Sequence, residues 1–218
     1  MALQDRGKQA GHGARGRPRG FDRTAALEAA MALFWRHGFT GTSIADLCAA
    51  MGIASPSLYA AFGSKQALYA EALARYLDRT VAVIWAPLEV APTARAGIEA
   101  FLLVSAAVLP AQPGKPAGCM VTLSAVGDEG CPALGRRVAE ARADAFAHLQ
   151  ARIARGFASG ELPPGTDCAA LARFYLAVQQ GMSIQARDGA TTAELETIAR
   201  RAMDAWPAHD AIGTPARE

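Results

Sequence analysis

The N-terminal third of the chain carries a helical pattern of apolar positions that glycines interrupt. Between positions 21 and 38 the apolar residues recur at i, i+3, i+4 and i+7, which is the spacing of one helical face. Asp22 is a good N-cap for this helix, and Gly38 suits the left-handed position that follows a helix. A second helix is predicted to begin at Ser43 or one residue before it, because Ser43 and Asp46 form a capping-box-like pair.

Serine and proline mark the next two helices. Ser55 followed by Pro56 predicts an N-cap and a first helical position, where the missing proline N–H has no intrahelical partner to lose. Another serine caps a long amphipathic helix predicted over 64–85. Pro87 and Pro92 are predicted to mark its far end.

The remainder of the chain is also helical in pattern, and no strand pattern competes. Hydrophobic residues make up 51% of the chain but aromatic residues only 7%, which favours closely packed helices over strands. We therefore expect an all-α protein. The further predicted helices cover 93–109, 132–159, 167–187 and 192–206, with a short apolar segment at 119–126.

The net charge of +2 is unevenly distributed. Residues 1–70 hold 8 Lys and Arg against 4 Asp and Glu, a balance of +4, so the rest of the chain carries −2. Basic character is therefore concentrated at the end that would meet a polyanion. The longest apolar runs, 81–90 and 101–109, are well short of the roughly 20 residues of a membrane span. Residues 1–20 lack the apolar core of a secretory signal, so we expect a cytoplasmic protein with no membrane partner.

Two short helices joined at Gly52 by a tight turn form the pattern of a helix-turn-helix. Ala45, Ala49 and Ala50 are small at the positions where the first helix must let the second approach. The second helix can then present its N-terminal residues to the major groove of DNA, which is wide enough for one helix. The alternative is an ordinary helical hairpin.

The same segment resembles the DNA-binding domain of the TetR/AcrR family of regulators. Two runs carry the resemblance, TSIADL at 42–47 and GIASPSLYAAFGSK at 52–65, and it covers about residues 17–80. Shorter motifs along the chain are similar to a ComR-like subgroup, which contains a repressor linked to copper and outer-membrane permeability. These motifs are RP at 17–18, FDR at 21–23, LFW at 33–35, PAGC at 116–119 and QGMSI at 180–184.

The resemblance implies how the chain meets double-stranded operator DNA. Tyr59 and Lys65 stand where the family contacts phosphates, which set the register on the duplex. The base-facing positions hold small or apolar side chains, so we expect DNA shape to carry much of the sequence preference. Arg17, in the basic arm, is a candidate for the minor groove or a solvated tail residue. The full set of expected DNA-binding residues is Arg17, Thr42, Ser43, Ser55, Pro56, Ser57, Tyr59, Ala60 and Lys65.

One such helix contacts too little DNA for useful affinity, so we expect a two-fold homodimer that reads half-sites about 34–36 Å apart. The helices at 132–159 and 167–187 are similar to the pair that the family packs into a four-helix dimer interface; packing within one chain is the alternative. The expected domains are a flexible basic arm (1–20), a helix-turn-helix DNA-binding domain (21–66), a connecting helix (64–85), a C-terminal effector-binding and dimerisation domain (67–207) and a disordered tail (208–218).

A regulator of this kind must sense something, and two hypotheses stay open. Cys119 and Cys131 are candidates for thiol oxidation or for capture of a soft metal such as Cu(I), although cysteine is also a common buried residue. The other hypothesis is an apolar pocket for an unknown small-molecule effector, with no cofactor, in which Gln179 and Tyr175 orient the ligand. Its expected lining is Trp85, Phe101, Met120, Phe174, Tyr175, Gln179 and Met182, each of which could instead belong to the core.

An enzyme is the remaining class to consider. Cys119 or Cys131 could act as a nucleophile with His148 as its base, but nothing in the spacing brings base and nucleophile within hydrogen-bond reach. The chain has no HExxH, Walker loop or GxSxG motif, and no GxGxxG after a strand. We therefore expect a regulator and not an enzyme.

Overall fold

The computed structural model describes residues 21–124 and 131–207. Over these residues the fold is all-α, as the sequence predicted, and the sole strand-like feature among them is an isolated bridge between Gln112 and Lys115. The predicted basic arm, Arg17 within it and the predicted C-terminal tail lie outside the described residues. The helices are α1 (Arg23–His37), α2 (Ile44–Met51), α3 (Ser55–Phe62), α4 (Lys65–Tyr76), a π-helical segment (Leu77–Val81), α5 (Ala82–Val90), α6 (Ala94–Val108), α7 (Met120–Leu123), α8 (Pro132–Ala158), α9 (Cys168–Arg187) and α10 (Thr192–Met203).

The helix starts read from local sequence are largely confirmed. Asp22 caps α1 by accepting hydrogen bonds from the N–H groups of Thr24 and Ala25. Ser43 and Asp46 form the full capping box at the start of α2. These bonds satisfy N–H groups that have no partner within the helix, which is why the start of a helix can be read locally.

Three predicted helix boundaries were wrong, and the simplest is the end of the last helix, predicted at residue 206 and observed at Met203. Ser55 is the first residue of α3 and Ala54 is its N-cap, which has no side chain to accept a hydrogen bond. The helix predicted over 64–85 is interrupted by the π-helical segment and then continues as α5 to Val90, with Pro87 inside it. Proline has no N–H, so the helical hydrogen bond from position 87 to the carbonyl of Val83 is missing. Val83 is exposed, so water takes the place of the missing donor and the helix continues.

The buried core runs through the described residues as one cluster, from α1 to α10. In its N-terminal part α1 packs on α2 and α4, whereas α5 with α6, α6 with α10 and α8 with α9 are the main pairs of the C-terminal part. The buried Arg152 of α8 fixes the end of α5, because its guanidinium donates hydrogen bonds to the carbonyls of Leu88 and Ala91. The two parts therefore share one continuous core, which runs through α4, the π-helical segment and α5.

Across the described ranges no single helix is long and apolar enough to cross a membrane. Only α2 and α3 taken together reach the length and hydrophobicity of a membrane span among the described residues, and a 90° bend separates the two helices. That bend is the feature that matters for the site.

Candidate nucleic-acid interface and internal cavity

The helices α2 and α3 form a helix-turn-helix. Gly52 makes the turn with φ 66° and ψ 30°, a left-handed conformation that other residues adopt at a cost. The 90° angle between the two helices lies in the range of this motif. Each short helix packs on the core through two buried side chains, Leu47 and Met51 in α2 and Leu58 and Phe62 in α3. The opposite side of α3 is left open.

The open side of α3 carries no charged side chain. Tyr59 is 46% exposed and reaches out beside Pro56 and Ala60, which are also exposed. Ser55 and Ser57 are half-buried. This surface offers two hydroxyls, one phenol and several apolar contacts to a groove, and those groups suit thymine methyls and shape better than bidentate base contacts.

Lys65 lies at the first position of α4, next to α3. Its ammonium nitrogen sits 4.3 Å from the ring centroid of Phe39, and burial lowers the pKa of Lys65. Among the residues that the structure describes, no carboxylate pairs with it. Helix N-termini attract anions. Lys65 is positioned by the Phe39 ring and has no carboxylate partner among the described residues, so its ammonium is placed to contact a phosphate.

Thr42 and Ser43 are used within the protein. Thr42 is fully buried, and its hydroxyl donates to the carbonyl of Gly38 at 2.7 Å. The hydroxyl of Ser43 donates to the carboxylate of Asp46 at 2.6 Å and accepts from its N–H at 3.1 Å. These hydrogen bonds from Ser43 lower the pKa of Asp46. Thr42 therefore shapes the turn before α2, while Ser43, which is exposed, caps the helix.

Arg187 at the end of α9 joins the two parts of the molecule, and no local pattern marked it. Its guanidinium donates to the carbonyls of Trp35 at 2.8 Å and Arg36 at 3.1 Å, both in the last turn of α1. It also donates to the carbonyl of Ala117 at 2.9 Å. Burial lowers the pKa of Arg187. A cation here satisfies carbonyls that have no partner within α1 and interacts favourably with the helix dipole.

A cavity of about 240 Å³ lies in the C-terminal part, between the π-helical segment, α5, α6, α7, α8 and α9. Three of the seven residues predicted for an effector pocket line it, namely Trp85, Phe101 and Gln179. Cys119 lines it as well. The lining residues that the sequence did not single out include Leu77, Val81, Ile84, Val121, Leu176 and Gln180.

The other four predicted pocket residues lie elsewhere. Met120 and Met182 are fully buried core residues, and Phe174 is 41% exposed on α9. Tyr175 is fully buried, its hydroxyl donates to the carbonyl of Ala202 at 3.4 Å, and burial raises its pKa to about 12. Periodicity identifies which face of a helix points inward, but it does not distinguish a filled core from a cavity wall.

The aromatic wall of the cavity is built from two helices. Trp85 stacks on Phe101 with ring centroids 4.9 Å apart, and the ring of His148 lies 5.5 Å from Trp85 on its exposed rim. Gln179 of α9 is 6% exposed and faces this space. Most of the lining is thus apolar, with few polar groups.

The cysteines are all free thiols. Cys119 is buried on the cavity wall, whereas Cys131 is half-buried at the N-cap of α8. Burial, and after it the neighbouring thiol of Cys119, raise the pKa of Tyr76. Within residues 21–124 and 131–207 no group of three His, Cys, Asp or Glu side chains is arranged to hold a metal. Cys119 and His148 line the same cavity, but no hydrogen bond joins them.

Both parts of the chain match known protein families. Residues 26–72 match the family described as "Bacterial regulatory proteins, tetR family". Residues 95–203 match the family described as "Tetracyclin repressor-like, C-terminal domain". The chain belongs to the tetR family of bacterial regulatory proteins. The resemblance that the helix-turn-helix motif suggested is confirmed.

Relatives of this TetR-family chain extend the match over nearly its whole length. It is 39% identical over 199 residues to the HTH-type transcriptional repressor ComR of Escherichia coli K12, covering 88% of this chain and 92% of that protein. It is 32% identical over 192 residues to the HTH-type transcriptional repressor BdcR of the same organism, covering 87% and 91%. The likeness to the ComR-like subgroup is therefore confirmed.

Solved structures agree with the TetR-family fold. The regulator CifR, as a triple cysteine mutant complexed with 26-bp double-strand operator DNA, superposes with a TM-score of 0.82 at 40% identity, covering 88% of this chain and all of that one. A TetR regulator from Chloroflexus aurantiacus superposes with a TM-score of 0.74 at 27% identity, covering 84% and 92%. The chain is thus a TetR-family transcriptional regulator with an N-terminal helix-turn-helix.

Proposed function

We propose that the chain is a ligand-responsive transcriptional repressor that binds palindromic operator DNA as a homodimer. The observation that carries the proposal is the open side of α3 with its exposed Tyr59, followed by Lys65 at the start of α4, whose ammonium pairs with no carboxylate of the described residues. A groove-facing surface with little charge, flanked by a cation on a helix N-terminus, fits base contacts beside a phosphate contact.

The relatives support this proposal. ComR and BdcR are named as repressors, and CifR is the protein of the superposed complex with operator DNA. The proposal includes the division at residue 66 into a DNA-binding domain and an effector-binding and dimerisation domain, and a cytoplasmic location, where the DNA is. It also assigns no enzymatic activity to the chain.

The outer faces of α8 and α9 support a dimer. Phe157 on α8 is 38% exposed, and Phe174 and Ile184 on α9 are 41% and 51% exposed. Small residues share these faces, and Gly181 has open space where a Cβ would point. Exposed apolar side chains among small ones allow helices of two subunits to pack closely, so we assign this face to the partner subunit.

DNA binding is tested by selecting bound duplexes from a random-sequence pool and titrating the selected DNA at several salt concentrations. Log affinity should fall linearly with log salt, because each neutralised phosphate releases counterions. Lys65→Ala should weaken binding to all sequences and reduce the slope by about two units, one for the phosphate contact of each subunit in the dimer. Arg201→Ala is the matched control, because Arg201 lies on α10 with its side chain 82% exposed, and it should leave the slope unchanged. An unchanged slope in Lys65→Ala would remove Lys65 from the interface.

The effector response is the other part of the proposal, and the cavity is its expected site. Sensing through sulfur is a second candidate, because Cys119 lies on the cavity wall where a small reagent that enters can meet its thiol. The candidate metal site at Cys119 and Cys131 finds no third ligand of the usual kind among the described residues. Thiol chemistry is therefore the form of the sulfur hypothesis that we keep.

A further inference from the structure

We propose that the cavity binds a small, uncharged aromatic molecule that carries one hydrogen-bonding group, and that Gln179 recognises this group. The proposal names the ligand class of the site that the proposed function treats as the effector site, and so it rests on that function. Three features of the cavity carry it, namely an unpaired amide, an aromatic wall and the placement of charge.

The amide of Gln179 faces the cavity and has no hydrogen-bond partner among the described residues. Gln179 is 6% exposed and lines the cavity, and in the part of the chain that the structure describes its side chain makes no hydrogen bond. The described polar atoms that are fully buried without a partner belong to Trp35 and Tyr76, so the amide of Gln179 is open to the cavity and its partner there is water or a ligand. The carboxamide offers both a donor and an acceptor to the cavity. A ligand hydroxyl, carbonyl or amide would satisfy it.

The wall and the volume select a flat ring. The stacked pair Trp85 and Phe101, 4.9 Å between centroids, presents aromatic surface to the cavity, and ring surfaces of this kind favour stacking or edge contacts. A dry apolar cavity of about 150 Å³ accepts benzene. The present cavity of about 240 Å³ is larger, so it accommodates a substituted ring or a fused bicycle.

The charges around the cavity select an uncharged ligand. Asp144 and His148 are exposed, so they stand at the opening and not in the depth. Arg142 is half-buried, and its guanidinium already donates to the carbonyl of Val121 at 3.3 Å. Asp144 lines the same cavity two residues further along α8 and carries the opposite charge, so the two side chains add no net charge to the lining. An ionised ligand would lose its hydration in the depth of the cavity without gaining a dedicated counter-ion.

A bound ring would also contact the helix that carries the DNA-binding part. Leu77 and Val81 belong to the π-helical segment and line the cavity, and this segment continues directly from α4, which packs on α1. π-helical turns in α-helices are rare and are often found at functional sites. A ligand that favours one geometry of this segment over another shifts the DNA-binding part, which is what an effector requires.

The test uses three probes that share one ring system, and it measures their binding to the full-length chain by isothermal titration calorimetry. The probes are naphthalene, 1-naphthol and 1-naphthoate. We expect 1-naphthol to bind about three- to tenfold more tightly than naphthalene, the factor of one neutral hydrogen bond. We expect 1-naphthoate to bind most weakly.

Two variants separate recognition from general binding. Gln179→Leu should abolish the preference for 1-naphthol over naphthalene while naphthalene still binds. Gln185→Leu is the matched control, because Gln185 lies exposed on the same helix and outside the cavity lining, and it should keep the preference. Equal affinities of naphthalene and 1-naphthol for the parent chain, a preference for 1-naphthoate, or a preference that survives Gln179→Leu would each overturn the proposal. Failure of all three probes to bind would overturn it as well.

A parallel gel shift with the selected DNA distinguishes this proposal from the proposed function. If the chain binds the selected DNA and no probe binds the chain, the ligand class is wrong and DNA binding stands. If 1-naphthol binds in a manner that depends on Gln179 and no DNA is selected, the ligand class stands and the proposed function is wrong. Release of DNA by 1-naphthol in the parent, but not in Gln179→Leu, supports both.

Discussion

Replacing Arg187 with methionine tests whether this side chain holds the two parts of the molecule together. Arg187 at the end of α9 donates to three backbone carbonyls, those of Trp35, Arg36 and Ala117, at 2.8 to 3.1 Å. Methionine keeps much of the side-chain length and can still pack, but it has no donor. The substitution therefore removes the hydrogen bonds and the charge while retaining most of the apolar contact.

The size of the effect follows from these three bonds. A hydrogen bond to a charged group contributes roughly 1.5–3 kcal/mol. Arg187 is half-buried, so water replaces part of what is lost, and we expect Arg187→Met to lower the free energy of unfolding by about 3 kcal/mol in total rather than by the full sum. For a chain of this length that corresponds to a fall in Tm of roughly 6–12 °C.

Thermal unfolding followed by circular dichroism measures the effect, at one fixed protein concentration because a dimer unfolds in a concentration-dependent manner. Arg200→Met is the matched control, since Arg200 lies on the surface of α10 and pairs with Glu196 one turn earlier. Exposed pairs of this kind contribute roughly 0.3–0.5 kcal/mol. If Arg187→Met and Arg200→Met lower Tm equally, Arg187 does not link the two parts.

Three further predictions concern the cap, the dimer face and the cysteines. Asp46→Asn should make the free energy of unfolding depend less on pH in the acid range. The pKa of Asp46 is lower in the folded protein than the unfolded value of about 3.9, so the ionised side chain stabilises the fold above that value, and this stabilisation is lost as the pH falls through the folded-state pKa. Urea unfolding between pH 6 and about pH 3 measures it, and an unchanged pH profile would contradict the role of the cap. Ile184→Glu should place a charge on the exposed face of α9 and yield monomers in light scattering, while Gln185→Glu, one residue further, serves as its control. Cys119→Ser combined with Cys131→Ser should abolish release of DNA by oxidants if thiols sense, and unchanged release would end the sulfur hypothesis.

Local sequence predicted the N-terminal part well because its signals act within one or two turns. The cap at Asp22, the capping box of Ser43 with Asp46 and the left-handed turn at Gly52 each satisfy backbone groups by short-range bonds. The same residues stand in the motif that resembles the family, so the helix-turn-helix was predicted from the motif and from the physics of helix ends together. Thr42 is a residue for which the motif alone was not enough. Its position in the motif predicted a DNA contact, but its side chain is fully buried in the turn before α2.

The C-terminal part was predicted as helices but not as a site. Periodicity placed α8 and α9 to within about a residue at each end, because an amphipathic stripe is a property of the helix alone. Met120, Tyr175 and Gln179 all read as inward-facing, yet only Gln179 lines the cavity. That difference depends on the volume left between helices that are distant in the chain.

The sequence by itself determined where helices begin, which of their faces turn inward and that α3 follows α2 across a glycine turn, since these properties arise from neighbours along the chain. Only the tertiary structure decided that Pro87 is carried inside a helix, that Arg187 reaches the end of α1, and that Gln179 and Trp85 share one cavity. Those outcomes follow from packing and hydrogen bonding between segments that can be up to about 150 residues apart, and no short-range pattern encodes them.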